Sequence, residues 1–443
     1  MYVAPAPRVE ELLPKLESAR LGDVLSRGRS SSLSEYLHWD KLRHLEPPAD
    51  LTHEEWWLTL KLARAPLLRP LPLRDAEGMP FVFGMPDTLL QLLHFVDQRC
   101  SGEIAMPEVV TADDQARQHY LVNSLMEEAI RSSQLEGAAT SRRVAKELLQ
   151  SGREPVSRGE RMILNNYRAL QFMRDSLGTE LTPAHVLEMQ RILTEGTLEN
   201  PDAAGRLQGA SDDRVAVFDR VDGELVHRPP PAEQLPERLE QLCAFANERD
   251  ASPYFLHPVV RSVLLHFWLA YDHPFEDGNG RTARLLFYWS MRRHGYWLTE
   301  YLSISRILRQ GPAKYMRSFL LTETDERDAT YFLLFQLEVV KRAVEELDTY
   351  FRRKVAEIRK VERALRGAES FNRRQLTLLS DAARNPDHHY TYATHARIHR
   401  VTHETARTDL TQLWQHELLV RRRVGRRHTY AVPADLAERL ASL

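Results

Sequence analysis

Only two cysteines, Cys100 and Cys243, occur in the 443-residue chain. That is too few for a disulfide framework, so a reducing, cytoplasmic setting is expected. Excess charge of either sign is also missing: 60 Lys and Arg stand against 62 Asp and Glu. A chain-wide nucleic-acid coat and an acidic disordered tail are both excluded by that balance. Long apolar runs are absent too. The greasiest stretch, VLLHFWLA at 263–270, is far shorter than the ~20 residues that cross a bilayer, and MYVAPAPRVEELLPKLE lacks a signal-peptide core. No membrane partner is expected.

What the chain does have is helical periodicity. Four stretches are expected. The first, 1–111, holds a helix opened by Thr52 with Glu55 three positions on, the spacing of a capping box. Of Trp56 and Trp57, at least one belongs in a core. The Pro-rich segment 66–80 reads as a connector or hairpin lead-in. The second stretch, 112–300, carries a helix over about 114–137, stopped by Gly137, and another over 157–177. Within it, 214–231 breaks the helical pattern and turns at Asp222-Gly223, predicting a small β-hairpin that projects from a helical domain. The third, 301–367, is a charged helical connection. The fourth, 371–443, has twelve Arg, no Lys and seven acidic residues, a net +5, leaving −7 elsewhere. It reads as helix, turn, helix, then a hairpin about Gly425.

The chemistry concentrates in YDHPFEDGNGRTARLLFYW, 271–289. Pro274 ends one apolar helix, and a short loop with Gly278 and Gly280 opens onto the N-terminus of the next. Glycine permits close backbone approach, while free N–H groups and the helix dipole favour an anion. Around that cradle stand four kinds of group. His273 has an imidazole able to accept a proton near neutral pH. Asp277 is a hard oxygen ligand suited to Mg²⁺ on phosphates. Asn279 offers an amide. Arg281 and Arg284, three apart on the new helix, can fork onto phosphate oxygens. Together they make a phosphate-transfer site. A lone Gly-x-Gly would be an ordinary turn, but His273–Arg284 alternates reactive with permissive residues throughout.

HPFEDGNGRTAR resembles, position for position, the signature of the Fic (Fic/Doc) family, H-P-F-x-D/E-G-N-G-R-x-x-R. The resemblance implies a mostly α fold: a Fic-type helical core with a β-hairpin flap for docking targets, here carrying Val215, Val217 and Val226. It implies protein adenylyltransfer, in which AMP passes from ATP to a Tyr, Thr or Ser hydroxyl. His273 would deprotonate the target, Asp277 hold Mg²⁺, and Gly278, Asn279 and Gly280 line the phosphate nest. Arg281 and Arg284 would hold the β/γ end, and Phe275 anchor the loop in the core. Gly280, where kinase-type relatives carry Lys, favours nucleotidyl transfer.

A second segment, RSSQLEGAAT at 131–140, places Ser132 and Glu136 four apart on one helix face. With Gly137 it resembles the inhibitory motif of autoinhibited Fic proteins. That resemblance implies that Glu136 pairs with Arg284 where the γ-phosphate would sit; in some relatives this glutamate serves AMP removal instead, so the direction stays open. Residues 392–433 resemble the winged helix-turn-helix found after many Fic domains. Arg421–Arg423, Arg426 and Arg427 suit phosphates of duplex DNA, while dimerisation with a second copy, or target binding, is the equal alternative. His395, His399 and His403 fall at helical spacing, but the turn before His403 breaks their common face and argues against zinc. The rival readings are a DNA-binding regulator whose core senses nucleotide and a kinase-type transferase.

Overall fold

The computed structural model describes every residue except 1, 17, 31–34, 49, 102–113, 213, 215–216, 219–224, 250–252, 367–369, 385–387, 425–426 and 442–443. The chain is mostly helical, with small sheets. It divides into two compact units, one formed by 1–103 with 123–344, the other by 104–122 with 345–443.

In the first unit, α1 (Ser18–Ser30) and α2 (His53–Arg64) precede a hairpin of β1 (Arg69–Arg74) and β2 (Pro80–Phe83), then α3 (Asp87–Val96). The expected capping box starts α2: Thr52 accepts from the Glu55 N–H, and Glu55 accepts from the Thr52 N–H. Trp57 is fully buried and donates its indole N–H to Pro7. Helix α4 (Asp114–Leu135) enters this unit at residue 123. Then follow α5 (Arg142–Ser151), α6 (Arg158–Asp175) and α7 (Pro183–Thr194), capped by Ser141, Ser157 and Thr182. The hairpin of β3 (Val217–Phe218) and β4 (Leu225–His227) comes next. Finally come α8 (Leu235–Ala246), α9 (Pro258–Asp272), α10 (Asn279–Arg293), α11 (Ile304–Gln310), α12 (Pro312–Thr324) and the start of α13 (Thr330–Arg366).

Helices α9 and α10 form the centre. Nearly all of α9 is buried, including Val259, Val263, Leu264 and Phe267. From α10, Leu285, Leu286 and Trp289 are buried as well. Helices buried on nearly every face belong inside a larger domain, and here they carry buried polar groups such as His266, Asp272, Arg281 and Arg284 as well.

The division differs from the four stretches read from the sequence, because residues 1–103 pack into the same body as the core. Lys61 forms a buried ion pair with Asp325 at 2.8 Å. Arg64 donates to the Tyr331 hydroxyl at 2.9 Å, and Phe81 meets Phe267 edge to face. Such contacts between distant residues leave no local pattern in the chain.

In the second unit, α14 (Arg373–Arg384), β5 (His389–Tyr390), α15 (Tyr392–His399) and α16 (His403–Gln415) lead to β6 (Val420–Val424) and β7 (Arg427–Ala431), with α17 (Leu436–Ala441) last. The strands pair antiparallel in the order β5-β7-β6. Thr402 caps α16, whose Ala406, Leu410 and Leu413 are buried. Arg421–Arg423 are exposed; Gly425 and Arg426 lie outside the described residues. The rings of His395 and His399 lie 4.5 Å apart, while His403 packs on Tyr392. His395 bonds Asp409 at 3.1 Å, and no metal-binding cluster occurs among the described residues. Both cysteines are buried, and neither forms a disulfide. Among the described residues no helix is long and apolar enough to cross a membrane.

Candidate active site

The site is the loop between α9 and α10. His273 closes α9 in a left-handed conformation (φ 44°, ψ 54°), its N–H bonded to Leu269 O at 3.0 Å. Positive φ is strained for a side chain bearing a Cβ, and such strain collects at functional sites. The surroundings hold it in place. Arg214 donates to the carbonyls of His273 at 2.8 Å, Asp272 at 2.6 Å and Pro230 at 2.8 Å. The Asp272 side chain is buried, where desolvation raises its pKa although Arg238 pairs with it at 2.6 Å. His273 is half-buried.

Beyond Pro274 the loop is tied to itself. Phe275 is fully buried. Asn279 accepts from the Phe275 N–H at 2.9 Å and donates to its carbonyl at 2.7 Å. The Asn279 amide, expected at a phosphate, is therefore spent on shaping the loop. Gly278, at φ 90°, is the N-cap of α10. The side chain of Gln190 donates to Asp277 O at 3.0 Å and accepts from the Gly205 N–H.

Of the two expected phosphate arginines, Arg281 differs from the expectation. It is 0% exposed and donates to Leu193 O and to Asp277 Oδ1, each at 3.0 Å. It braces the carboxylate from below instead of reaching into the cradle. Asp277 also accepts from the Gly278 N–H, and its other oxygen lies 3.6 Å from Arg158. Arg158 leads into a cavity of about 430 Å³ lined by Ser157, Arg161, Thr197 and Glu199.

Arg284 meets the segment that carries Ser132 and Glu136. Its Nε donates to Ser132 Oγ at 2.9 Å, and its Nη2 donates to Glu136 Oε1 at 2.8 Å. Burial works most strongly against the Arg284 charge, but Glu136, Tyr315 and Glu128 together more than offset it, leaving the pKa above its ordinary value. Nη1 is buried without a hydrogen-bond partner. Gly137 ends the segment at φ 101°. A Cβ at position 280 would overlap Glu136 Oε1, so Gly280 gives the carboxylate its room.

Of the expected flap residues, Val217 and Val226 lie in the β3–β4 pair, where Val217 faces His227 and Phe218 faces Leu225; Val215 lies outside the described residues. His227 fastens β4 to the body, its ring nitrogens reaching Glu323 at 2.9 Å and Tyr271 O at 2.7 Å. Sequence reasoning missed Arg214, Gln190, Arg238 and His227. Arg214 had a signal: a basic residue opening the one β-like segment of a helical domain.

Residues 180–291 match the Fic/DOC family. The chain carries a Fic domain. Relatives include a protein adenylyltransferase Fic of Nematostella vectensis, 31% identical over 137 residues, 30% of this chain and 29% of that protein. Another is protein adenylyltransferase fic-1 of Caenorhabditis elegans, 33% identical over 132 residues, 29% of this chain and 23% of the relative. The match thus spans under a third of either relative's length. A Fic family protein from Desulfovibrio desulfuricans G20 shares the fold at a TM-score of 0.53 and 18% identity, over 79% of this chain and 97% of that one.

Proposed function

We propose that this Fic domain transfers AMP from ATP to a hydroxyl of a target protein, and that Glu136 holds the activity in check. One arrangement carries the reading: a half-buried His273, held in a strained turn, beside a glycine-lined helix start whose Arg284 has one nitrogen unpartnered. That nitrogen, and the room at Gly280 that the Glu136 carboxylate fills, suit a phosphate oxygen once Glu136 withdraws.

In the proposed reaction His273 accepts the proton of the target hydroxyl as its oxygen attacks the α-phosphorus. The bond from that phosphorus to the bridging β-oxygen breaks, and pyrophosphate leaves. Arg284 stabilises charge at the far phosphates. Asp277, one-third exposed and braced by Arg281, would hold Mg²⁺, which when bound neutralises phosphate charge. Gly278 and Asn279 keep the backbone of the loop close to the ligand. Glu136 opposes all this by occupying Arg284, so ATP meets a carboxylate where its terminal phosphate belongs. A lysine at 280, as in a kinase-type pose, would collide with Glu136, which favours transfer from the α-position.

For the second unit, the order of helices and strands together with exposed Arg421–Arg423 suits a docking module for DNA or protein. The test of the central reading is incorporation of label into lysate proteins. The Glu136→Gly variant given α-labelled ATP and Mg²⁺ is expected to label targets, and failure to do so excludes the assignment.

A further inference from the structure

Glu128 stands on α4, one helical turn before Ser132 and two before Glu136, so the three share a face. It is ~12 Å along the axis from Glu136, too far to touch a nucleotide at Arg284. Yet its carboxylate is more deeply buried than that of Glu136, with Glu128 only 3% exposed. It accepts from Ser303 Oγ at 2.7 Å, Ser305 Oγ at 2.5 Å and the Ser305 N–H at 3.2 Å. Burial pushes its pKa up, while the two hydroxyls favour the charged form.

The segment that donates these bonds is itself fixed to α10. Tyr288, one turn beyond Arg284, accepts from the Ile304 N–H at 3.0 Å and donates to Leu302 O at 3.3 Å. Residues 302–305 therefore bridge Tyr288 of α10 to Glu128 of α4. The next turn of the same two helices makes the Arg284 contacts with Ser132 and Glu136. Sliding or rotating α4 to withdraw Glu136 would strip a buried carboxylate of its three donors, which is expensive without new partners.

We propose that Glu128 is a positioning residue for the brake: it fixes the register of α4 on α10 and so sets how often Glu136 leaves Arg284. The inference rests on the autoinhibitory reading above, but its first readout does not need activity. In the full-length chain, Glu128→Ala speeds amide exchange at residues 133–137 by about tenfold, whereas Glu128→Gln, which keeps an acceptor of the same length, changes it less. Transfer from α-labelled ATP rises about tenfold on Glu128→Ala in the wild-type background and changes less than about twofold on top of Glu136→Gly. If Glu128→Ala does not fold, the Ser303→Ala/Ser305→Ala pair, which removes both hydroxyl donors, gives the same pattern. Unchanged exchange at 133–137 overturns the proposal, and so does an equal fall of transfer in both backgrounds, the mark of a merely structural residue. Faster exchange with an inactive Glu136→Gly variant supports the anchor and instead sinks the adenylyltransfer reading.

Discussion

Arg284 Nη2 donates to Glu136 Oε1 at 2.8 Å, joining residues 148 positions apart at the mouth of the glycine loop. The guanidinium has little exposure and the carboxylate about a quarter, so the pair is screened on one side only. A charge-assisted bond of this kind contributes roughly 1.5–3 kcal/mol, or about 10- to 100-fold in an equilibrium. Glu136→Gly should accordingly raise AMP transfer at least about tenfold, read with α-labelled ATP. An unchanged rate means the pair is structural only.

Arg214 grips three carbonyls around His273, and burial lowers its own pKa. Arg214→Ala leaves those acceptors unpaired and frees the strained turn. Transfer in the Glu136→Gly background should fall about 10- to 100-fold while ATP affinity holds, since the cradle itself is untouched. Equal losses in binding and turnover would instead indicate collapse of the whole loop.

Much of the site was legible. Pro274, Gly278 and the arginine spacing placed the loop, and the Ser132/Glu136 spacing put those two side chains on the one helix face that meets Arg284, because each is written within one or two helical turns. Thr52 and Glu55 were readable for the same reason. Arg281 differs from the reading: spacing put it on the face of Arg284, yet Asp277, four positions before it, and Leu193 O of α7, 88 positions away, draw it inward. Arg214 and the packing of residues 1–103 onto the core depend on partners of the same distant kind, which periodicity does not record.

Gly278 has φ 90°, and a Cβ there would come within 3.1 Å of Thr194 Cγ2. Gly278→Ala should destabilise the chain by about 1–3 kcal/mol, seen as an earlier midpoint in chemical denaturation. An unshifted midpoint would show that the loop relaxes freely.

His227 places both ring nitrogens against acceptors, Glu323 and Tyr271 O, which is best satisfied by the imidazolium. Burial disfavours that charge, but Glu323 and the carbonyl outweigh it, and the pKa is raised above 6.5. A raised folded pKa means the stabilisation is complete below the unfolded value and fades as pH rises through the folded one. Amide protection at 225–227 should therefore weaken from pH 6 toward pH 8, and His227→Gln should flatten the profile. Protection that grows with pH would reverse the assignment.

The most direct measurement compares α- and γ-labelled ATP as donors to lysate proteins for Glu136→Gly and for Glu136→Gly/His273→Ala. Label should arrive only from the α-position and vanish when the imidazole is removed. Transfer from the γ-position, or α-label that persists without His273, contradicts the account.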